Sequence, residues 1–281
     1  MRKNFCLLYP LLMVICLNVF SQEVPNSLGP APYVFNNSLQ SQVFEAAVGN
    51  RAFTQISSSP TFQFGKSFLE SCIITNIGAP FPITFPGGLF YRSGTVFTWN
   101  QSSPYQIWSI DTVSGVHTFL FNLTGVPQAI LTGITWDGTT MYGVSSSLSV
   151  SQIFTINMTT GVCTPIGAAT ATCAGAILLA GRNLVGAGLF SVDIVLDNLY
   201  KWNKTTGVAT LVGPLGGNAN FGQDGQFDNA DGKLYWMSYI LGPALRTIDT
   251  ATGSGVQLCT YLAQATGIAP ITVSVAPPAA N

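Results

Sequence analysis

The pattern of apolar and polar positions is dominated by one short motif that recurs along the chain. In each copy, a run of β-favouring residues ends at Asp or Asn, and a glycine follows four residues later. The copies are Ile107–Gly115, Ile153–Gly161, Leu199–Gly207 and Leu245–Gly253, and successive glycines are 46 residues apart. Four copies at one spacing indicate a stacked or radial array of a single supersecondary unit.

The motif predicts a β-hairpin. Asp or Asn can cap its own turn and tolerates unusual backbone angles, and glycine adopts a positive φ without steric cost. A second β-rich run follows the glycine, as in Val208–Gly213. We therefore expect Gly115, Gly161, Gly207 and Gly253 to occupy equivalent turns of positive φ, between the third and fourth strands of successive units.

A second hairpin pattern alternates with the first. Its clearest copies are Gly133–Gly143 and Gly225–Trp236, and Gly88–Phe97 and Gly175–Val185 are looser ones. One period then holds two hairpins, and four antiparallel strands in about 40–50 residues are typical of a β-propeller blade. Helical periodicity is absent, which excludes a helical solenoid. The predicted fold is all-β, a β-propeller of four-stranded blades.

The blade count follows from the residues left over. Four units run from about Gly88 to Gly267, and a fifth, with a degenerate first strand, lies within about 33–79. The run Ile268–Val275 resembles a first strand and can complete that N-terminal blade, which predicts five blades. Closing the ring in this way also removes an open sheet edge. The alternative is a larger propeller of which this chain is a fragment.

The first residues predict export. Arg2 and Lys3 precede the uncharged, mostly apolar run Phe5–Phe20, and Ser21 offers a small residue for cleavage, as in a secretory signal peptide. The run is short for a membrane anchor, which needs about 20 residues. We expect a signal peptide over 1–22, a propeller over 23–276, a tail or the start of a linker over 277–281, and a secreted or cell-surface protein.

The composition of the chain limits the classes of partner that we expect. Only 7% of residues are charged, and removal of Arg2 and Lys3 leaves 8 basic against 11 acidic residues, a net charge near −3. No basic patch is present to bind phosphates, so nucleic acid is not an expected partner, and no later stretch predicts a membrane span. Four cysteines follow the signal peptide, and an oxidising compartment permits three pairings among them. They are Cys72, Cys163, Cys173 and Cys259.

The repeats resemble bacterial propeller repeats of the form Leu-Tyr-x-Ile-Asp-x-x-Thr-Gly-x-x-Thr-x-Ile-Gly, found in secreted and surface proteins and mostly assigned to domains of unknown function. The resemblance covers most of the mature chain and implies an architecture rather than an activity, because propellers host many unrelated functions. The Asp-x-x-Thr-Gly portion also occurs in pyrroloquinoline-quinone propellers, where a Trp commonly follows. Here Phe119, Pro165, Leu211 and Gln257 stand at that position, which argues against a quinoprotein.

The tryptophans divide into two groups. Trp108 and Trp202 align with apolar residues of the other repeats and are expected in the core between blades. Trp99, Trp136 and Trp236 lie near the other hairpin, where they could reach a face and form a binding platform for a sugar or a protein.

Few residues suggest chemistry. Asp224, Asp228 and Asp231 form the one acidic cluster, a candidate Ca²⁺ site that fits no EF-hand spacing; turn formation around Asp231 is the favoured interpretation. His117 is the single histidine, and no Gly-x-Ser-x-Gly elbow accompanies it. No catalytic residue is predicted, and calcium is the one cofactor left open.

Two classes of function remain. The first is a non-catalytic extracellular interaction module, built on a propeller ring, that holds a protein or a glycan. The second is a secreted carbohydrate-active hydrolase or lyase with its site at the central mouth of the ring. The absence of a convincing acid, base, nucleophile or metal constellation favours the module.

Overall fold

A computed structural model describes residues 51–58, 61–80, 86–182, 184, 186–221 and 223–271. The predicted signal peptide, residues 23–50 and residues 272–281 lie outside them. The described residues form twenty β-strands in five antiparallel sheets of four strands. No helix among them is long and apolar enough to cross a membrane. The prediction of a five-bladed all-β propeller is confirmed.

Four strands build each blade, and the first strand of each blade lies innermost. Blade I comprises β20 (Gln264–Ile271), β1 (Arg51–Ser58), β2 (Thr61–Phe68) and β3 (Ile74–Asn76). Blade II comprises β4 (Pro86–Arg92), β5 (Thr95–Asn100), β6 (Gln106–Ile110) and β7 (His117–Asn122). Blade III comprises β8 (Ile130–Trp136), β9 (Met141–Ser146), β10 (Ser151–Ile156) and β11 (Cys163–Pro165).

The remaining eight strands complete the ring. Blade IV comprises β12 (Ala180–Gly181), β13 (Leu189–Asp193), β14 (Asn198–Trp202) and β15 (Ala209–Pro214). Blade V comprises β16 (Asp224–Phe227), β17 (Leu234–Tyr239), β18 (Pro243–Ile248) and β19 (Gly255–Thr260). The inner strands β20, β4, β8, β12 and β16 lie side by side in a closed circle.

Apolar side chains are buried between blades rather than in one central core. Five clusters are present among the described residues, and each joins two neighbouring blades. The cluster around Phe90 and Leu131, for example, joins blades II and III. Because both faces of each sheet are covered by a neighbour, the ring is stable only when it closes.

Two features join the N-terminal and C-terminal parts of the ring, a strand pairing and a disulfide. β20 pairs antiparallel with β1, from Arg51 opposite Ile271 to Ser57 opposite Gln264, which confirms the predicted C-terminal closure. A disulfide joins Cys72 of blade I to Cys259 of β19 in blade V. Since 187 residues separate the two cysteines in sequence, the bond ties the two ends of the ring.

Two strand boundaries differ from those predicted. β20 begins at Gln264, so Gly267 lies inside the closing strand and not at the end of blade V. In blade IV the first strand is reduced to Ala180–Gly181 and the second is Leu189–Asp193, later than the Gly175–Val185 hairpin predicted. A long connection from blade III and a wide loop replace the regular hairpin there.

The repeat turn has one geometry in blades II to V. Gly115, Gly161, Gly207 and Gly253 follow the third strand with φ of 72°, 72°, 71° and 85°. In each turn the glycine N–H donates to the backbone oxygen of the Asp or Asn four residues earlier, at 2.8–2.9 Å. The side chain of that Asp or Asn also accepts backbone N–H groups of the turn, as Asn203 Oδ1 does from Thr205 and Thr206.

The turn glycine also touches the preceding blade. A Cβ on Gly207 would lie 2.1 Å from the backbone oxygen of Ile166, which follows the outer strand of blade III. Gly115, Gly161 and Gly253 meet backbone oxygens of their preceding blades at 2.1–2.5 Å in the same way. The glycine is therefore required twice, for its backbone angle and for the close approach of two blades.

We expect Gly207→Ala to destabilise the ring more than Gly216→Ala does. Both glycines have positive φ, 71° and 83°, but a Cβ on Gly216 meets nothing within 4 Å. Gly216→Ala should cost about 1 kcal/mol for the left-handed backbone alone. Gly207→Ala should cost at least about 2 kcal/mol more, because two blades must separate. Equal costs in urea unfolding would contradict an inter-blade role for the repeat glycine.

Deletion of residues 264–281 should destabilise the whole ring, because it removes β20 and opens both the inner edge of β1 and the circle of inner strands. We expect the melting temperature to fall by more than about 10 °C, or the chain not to fold. Deletion of 277–281 is the control and should leave the melting temperature unchanged. Ile268→Asp, which puts a charge in the cluster of blades V and I, keeps the test decisive if the deleted chain does not fold.

Candidate functional site

The centre of the ring is crossed by two side chains of a single inner strand, β16. Asp224 Oδ2 accepts the backbone N–H of Leu89 in β4 and of Ile268 in β20, both at 3.0 Å. The carboxylate therefore holds together the inner strands of blades V, II and I. This is the seam where the first and last strands of the chain meet.

Gln226, two residues further along β16, reaches the other two blades. Its Nε2 donates to the backbone oxygens of Ile134 in β8, at 2.9 Å, and of Leu179, just before β12, at 3.4 Å. Its Oε1 accepts the hydroxyl of Thr135 at 2.9 Å. Asp224 and Gln226 together bond β16 to β4, to β20, to β8 and to the residue that precedes β12.

Burial raises the pKa of the Asp224 carboxyl. Desolvation raises the pKa of its carboxyl from 3.8 to about 7, although the N–H groups of Leu89 and Ile268 oppose the rise. Its Oδ1 is buried and makes no hydrogen bond to any described residue. A Cβ on Gly88 would lie 2.8 Å from Asp224 Oδ2 and 2.7 Å from the Trp99 ring. The carboxyl is therefore buried and packs closely against Gly88.

The other two acids of the predicted cluster cap the turn between β16 and β17. Asp228 Oδ1 accepts the N–H of Ala230 at 2.8 Å. Asp231 accepts the N–H of Lys233 at 2.9 Å and the hydroxyl of Tyr235 at 2.8 Å. Within the described ranges, no three His, Cys, Asp or Glu side chains come close enough to hold a metal ion. The candidate calcium site is thus dispersed over a central bridge and a turn.

The predicted aromatic platform is wrong for two of its three members. Trp99 and Trp236 are both 0% exposed. Their indole N–H groups donate inside the protein, to the backbone oxygen of Leu131 at 3.2 Å and to Gln223 Oε1 at 2.5 Å. Both indole rings pack in the apolar clusters between blades. Only Trp136 is half-exposed, and the guanidinium of Arg92 lies over its ring at 4.3 Å.

The two tryptophans predicted in the core also differ from one another. Trp202 is fully buried and donates its indole N–H to Ser191 Oγ at 3.0 Å. Trp108 is half-buried, packs against the apolar cluster of blades I and II, and meets Phe119 of β7 edge-on at 5.5 Å. Both tryptophans thus contribute to the packing between blades, Trp202 completely and Trp108 in part.

Burial shifts the pKa values of the single histidine and of the free cysteines. Burial lowers the pKa of His117 to about 4. Cys163 and Cys173 are free, buried thiols, and burial raises the pKa of Cys163 to about 12. Neither sulfur is a ready thiolate at neutral pH, since the thiolate is the nucleophilic form.

An apolar rim stands out on the loops of blades IV and V. Leu241, at the turn between β17 and β18, and Leu262, between β19 and β20, are fully exposed. Their loops are tied by a hydrogen bond from the N–H of Tyr261 to the backbone oxygen of Pro243, at 3.0 Å. The rim also contains Phe221, whose ring packs edge-on against Tyr239 at 5.2 Å. We define the apolar rim as Phe221, Tyr239, Ile240, Leu241 and Leu262.

The rim carries no charge. Residues 239–243 and 261–264 contain no Asp, Glu, Lys or Arg, and large exposed leucines on uncharged loops are a feature of interaction surfaces. The sequence analysis missed the rim, although Leu241-Gly-Pro243 is a visible turn signal. Periodicity cannot show whether an apolar loop residue folds inward or outward.

A second surface feature is an open cleft of about 470 Å³ on the side of blade IV. Gly186, Ala187 and Gly188 form one wall, and the repeat turn after β14 forms the other. Two lysines, Lys201 and Lys204, line it together with the residues Trp202, Asn203, Thr205 and Thr210. The sequence analysis missed this site because its wall is the irregular loop of blade IV, which replaces the predicted hairpin.

Comparisons with known proteins identify the fold alone. No family model and no curated protein matches the chain. A chain in a structure titled "Crystal structure of Nidogen/Laminin Complex" is similar, with a TM-score of 0.51 and 15% identity, over 79% of this chain and 98% of that one. At this identity the likeness concerns architecture, and it agrees with a propeller-type ring.

The titration of Asp224 predicts a specific pH dependence. Because its pKa is raised from 3.8 to about 7 in the folded protein, its contribution to stability is fully present below about pH 4 and is lost as the pH rises towards 7. The loss is at most about 4 kcal/mol. The pKa of His117, lowered from 6.5 to about 4, acts in the opposite direction across pH 4–6.5.

The measurement is therefore a comparison with Asp224→Asn, which retains His117 and can still accept both N–H groups through its amide oxygen. Unfolding free energies from denaturant titrations at pH 4.5, 6 and 8 should show wild type losing stability relative to the variant as the pH rises. A difference between the two proteins that is constant with pH would show that Asp224 does not titrate in this range.

Proposed function

We propose that this chain is a non-catalytic extracellular interaction module, and that the apolar rim of blades IV and V contacts an apolar surface of a partner protein. The observation that carries the proposal is the full exposure of Leu241 and Leu262 on two loops that are hydrogen-bonded to each other. Exposed leucines gain free energy, at about 25 cal/mol per Å², only when a partner covers them.

Several features support a rigid binding scaffold. Five inter-blade clusters, the disulfide Cys72–Cys259 and the central bridges fix the ring, so the rim is presented with little loss of conformational entropy on binding. A disulfide agrees with an oxidising compartment, as does the predicted signal peptide. The similar chain comes from a complex of nidogen and laminin, so a ring of this kind is compatible with assembly between proteins. We also propose that the repeats are of the secreted bacterial type that they resemble.

The alternative, a carbohydrate-active enzyme with acids at the central mouth, receives less support. Asp224, whose carboxyl reaches the centre, is buried, and one of its oxygens accepts hydrogen bonds from two backbone N–H groups. Glycoside hydrolysis commonly uses a pair of carboxyl groups with room for a sugar between them. In the described part of the chain, Asp228 and Asp231 are instead held by their own turn.

Photo-crosslinking can test the rim directly. A photoreactive residue at position 241 or 262 of the mature chain should capture a defined protein from its extracellular surroundings, whereas the same residue at Val113, 87% exposed on the repeat turn of blade II, should not. The captured protein is then purified, and its affinity for the intact chain is measured.

Leu241→Asp with Leu262→Asp should weaken that affinity at least about 100-fold, since two buried leucines contribute about 3 kcal/mol or more. The melting temperature should not change, because both side chains are exposed. Equal crosslinking at Val113, or unchanged affinity of the double variant, would contradict the proposed surface.

A further inference from the structure

We infer that the cleft of blade IV is a binding site for an oxyanion, namely a sulfate, phosphate or carboxylate group carried on a sugar-sized molecule. This inference is independent of the apolar rim, which lies on other loops. It rests on the cavity, on two lysines that the equivalent positions of the other three repeats lack, and on the shape of the wall that faces them.

The lysines are specific to this blade. Lys201 stands six residues before the repeat glycine, where the other repeats have Ser109, Thr155 and Thr247. Lys204 stands three residues before it, where the others have Thr112, Met158 and Thr250. Because three blades fold with uncharged residues at both positions, the propeller itself does not explain this pair of charges.

The two ammonium groups are placed differently. Lys204 Nζ forms an ion pair with Asp137 Oδ2 of blade III at 2.5 Å and is mostly covered. Burial raises the pKa of Asp137, but the Lys204 ammonium and the N–H groups of Thr139 and Thr140 outweigh it and hold the pKa below its usual value. Lys204 is therefore anchored to blade III and also lines the cleft.

Lys201 supplies the available charge. It is exposed, and none of the described carboxylates forms an ion pair with it. Its aliphatic stem crosses Gly188, where a Cβ would lie 2.5 Å from Lys201 Cε. Its Nζ lies 5.9 Å from the centroid of the Phe190 ring. The absence of a side chain at Gly188 thus lets the stem lie against the backbone, and Lys201 lines the cleft.

Hydroxyl groups complete the polar lining. Thr210 is paired in register with Lys201 across the sheet, so the two side chains lie on one face. Thr205 lies on the turn opposite Gly186 and Ala187, and both threonines are exposed. Ammonium and hydroxyl donors suit an oxyanion. The volume of about 470 Å³ lies within the range of about 300–1,000 Å³ for small-molecule pockets, which is larger than a bare inorganic anion needs.

The test uses four probes on one sugar scaffold: glucose 6-sulfate, glucose 6-phosphate, glucuronate and uncharged glucose. Each is titrated into the folded chain, and binding is followed by NMR through the amide signals of Thr205 and Thr210. We expect saturable binding of the charged probes and none of glucose. The order of affinity among the three charged probes identifies which oxyanion the cleft prefers.

Lys201→Met should weaken binding of the charged probes about tenfold, the usual effect of losing one charge-assisted hydrogen bond. Lys201→Arg keeps the charge and should retain binding. Lys233→Met is the matched control, because it removes the same charge from an exposed lysine on the β16–β17 turn. All variants should melt at the wild-type temperature.

Three results would overturn the inference. The first is binding of glucose equal to that of the charged probes. The second is an equal loss of affinity in Lys233→Met, which would indicate diffuse attraction to the whole protein. The third is the absence of saturable shifts at Thr205 and Thr210 at probe concentrations of tens of millimolar.

Discussion

Closure of the ring at its inner circle is the constraint on which the rest of this structure depends. Each sheet has apolar residues on both faces and is stable only between two neighbouring sheets. An open array would therefore expose one apolar face of its first sheet and one of its last. Two polar side chains of β16 help to hold the ring closed. Asp224 forms hydrogen bonds to the backbone of blades I and II, and Gln226 forms hydrogen bonds to the backbone of blades III and IV. The strand pairing of β20 with β1 and the disulfide Cys72–Cys259 reinforce the same seam.

Closure also determines where the surfaces proposed for binding lie. At the centre, Asp224 and Gln226 form hydrogen bonds to the other inner strands, and Trp99 and Trp236 are buried between blades. Both of the proposed binding surfaces lie on the outer surface of the ring. The lysine cleft lies beside the irregular loop of blade IV, and the two exposed leucines of the apolar rim lie on the β17–β18 turn and on the β19–β20 connection.

The residues that hold the blades together differ from those proposed to bind a partner or a ligand. The residues of the repeat turn, such as Asn203 and Gly207, hold neighbouring blades together. Lys201, beside the same turn, occupies a position where three other blades have an uncharged residue, whereas Lys204 binds Asp137 of blade III. Substitutions at Lys201 or at the exposed leucines can therefore alter binding while the blade contacts stay intact, because these side chains contribute little to the packed clusters.

Much of the architecture can be predicted from local patterns in the sequence. The 46-residue spacing and the Asp-to-glycine motif indicate hairpins through local backbone chemistry, and counting strands favours a C-terminal strand that closes the first blade over a fragment of a larger ring. The pairing of Cys72 with Cys259, the burial of Trp99 and Trp236, and the exposure of Leu241 follow only from the tertiary fold. These depend on which residues of distant segments meet. A hydrophobic residue has the same local pattern whether a neighbouring blade or solvent lies beyond it, and only the closed ring distinguishes the two.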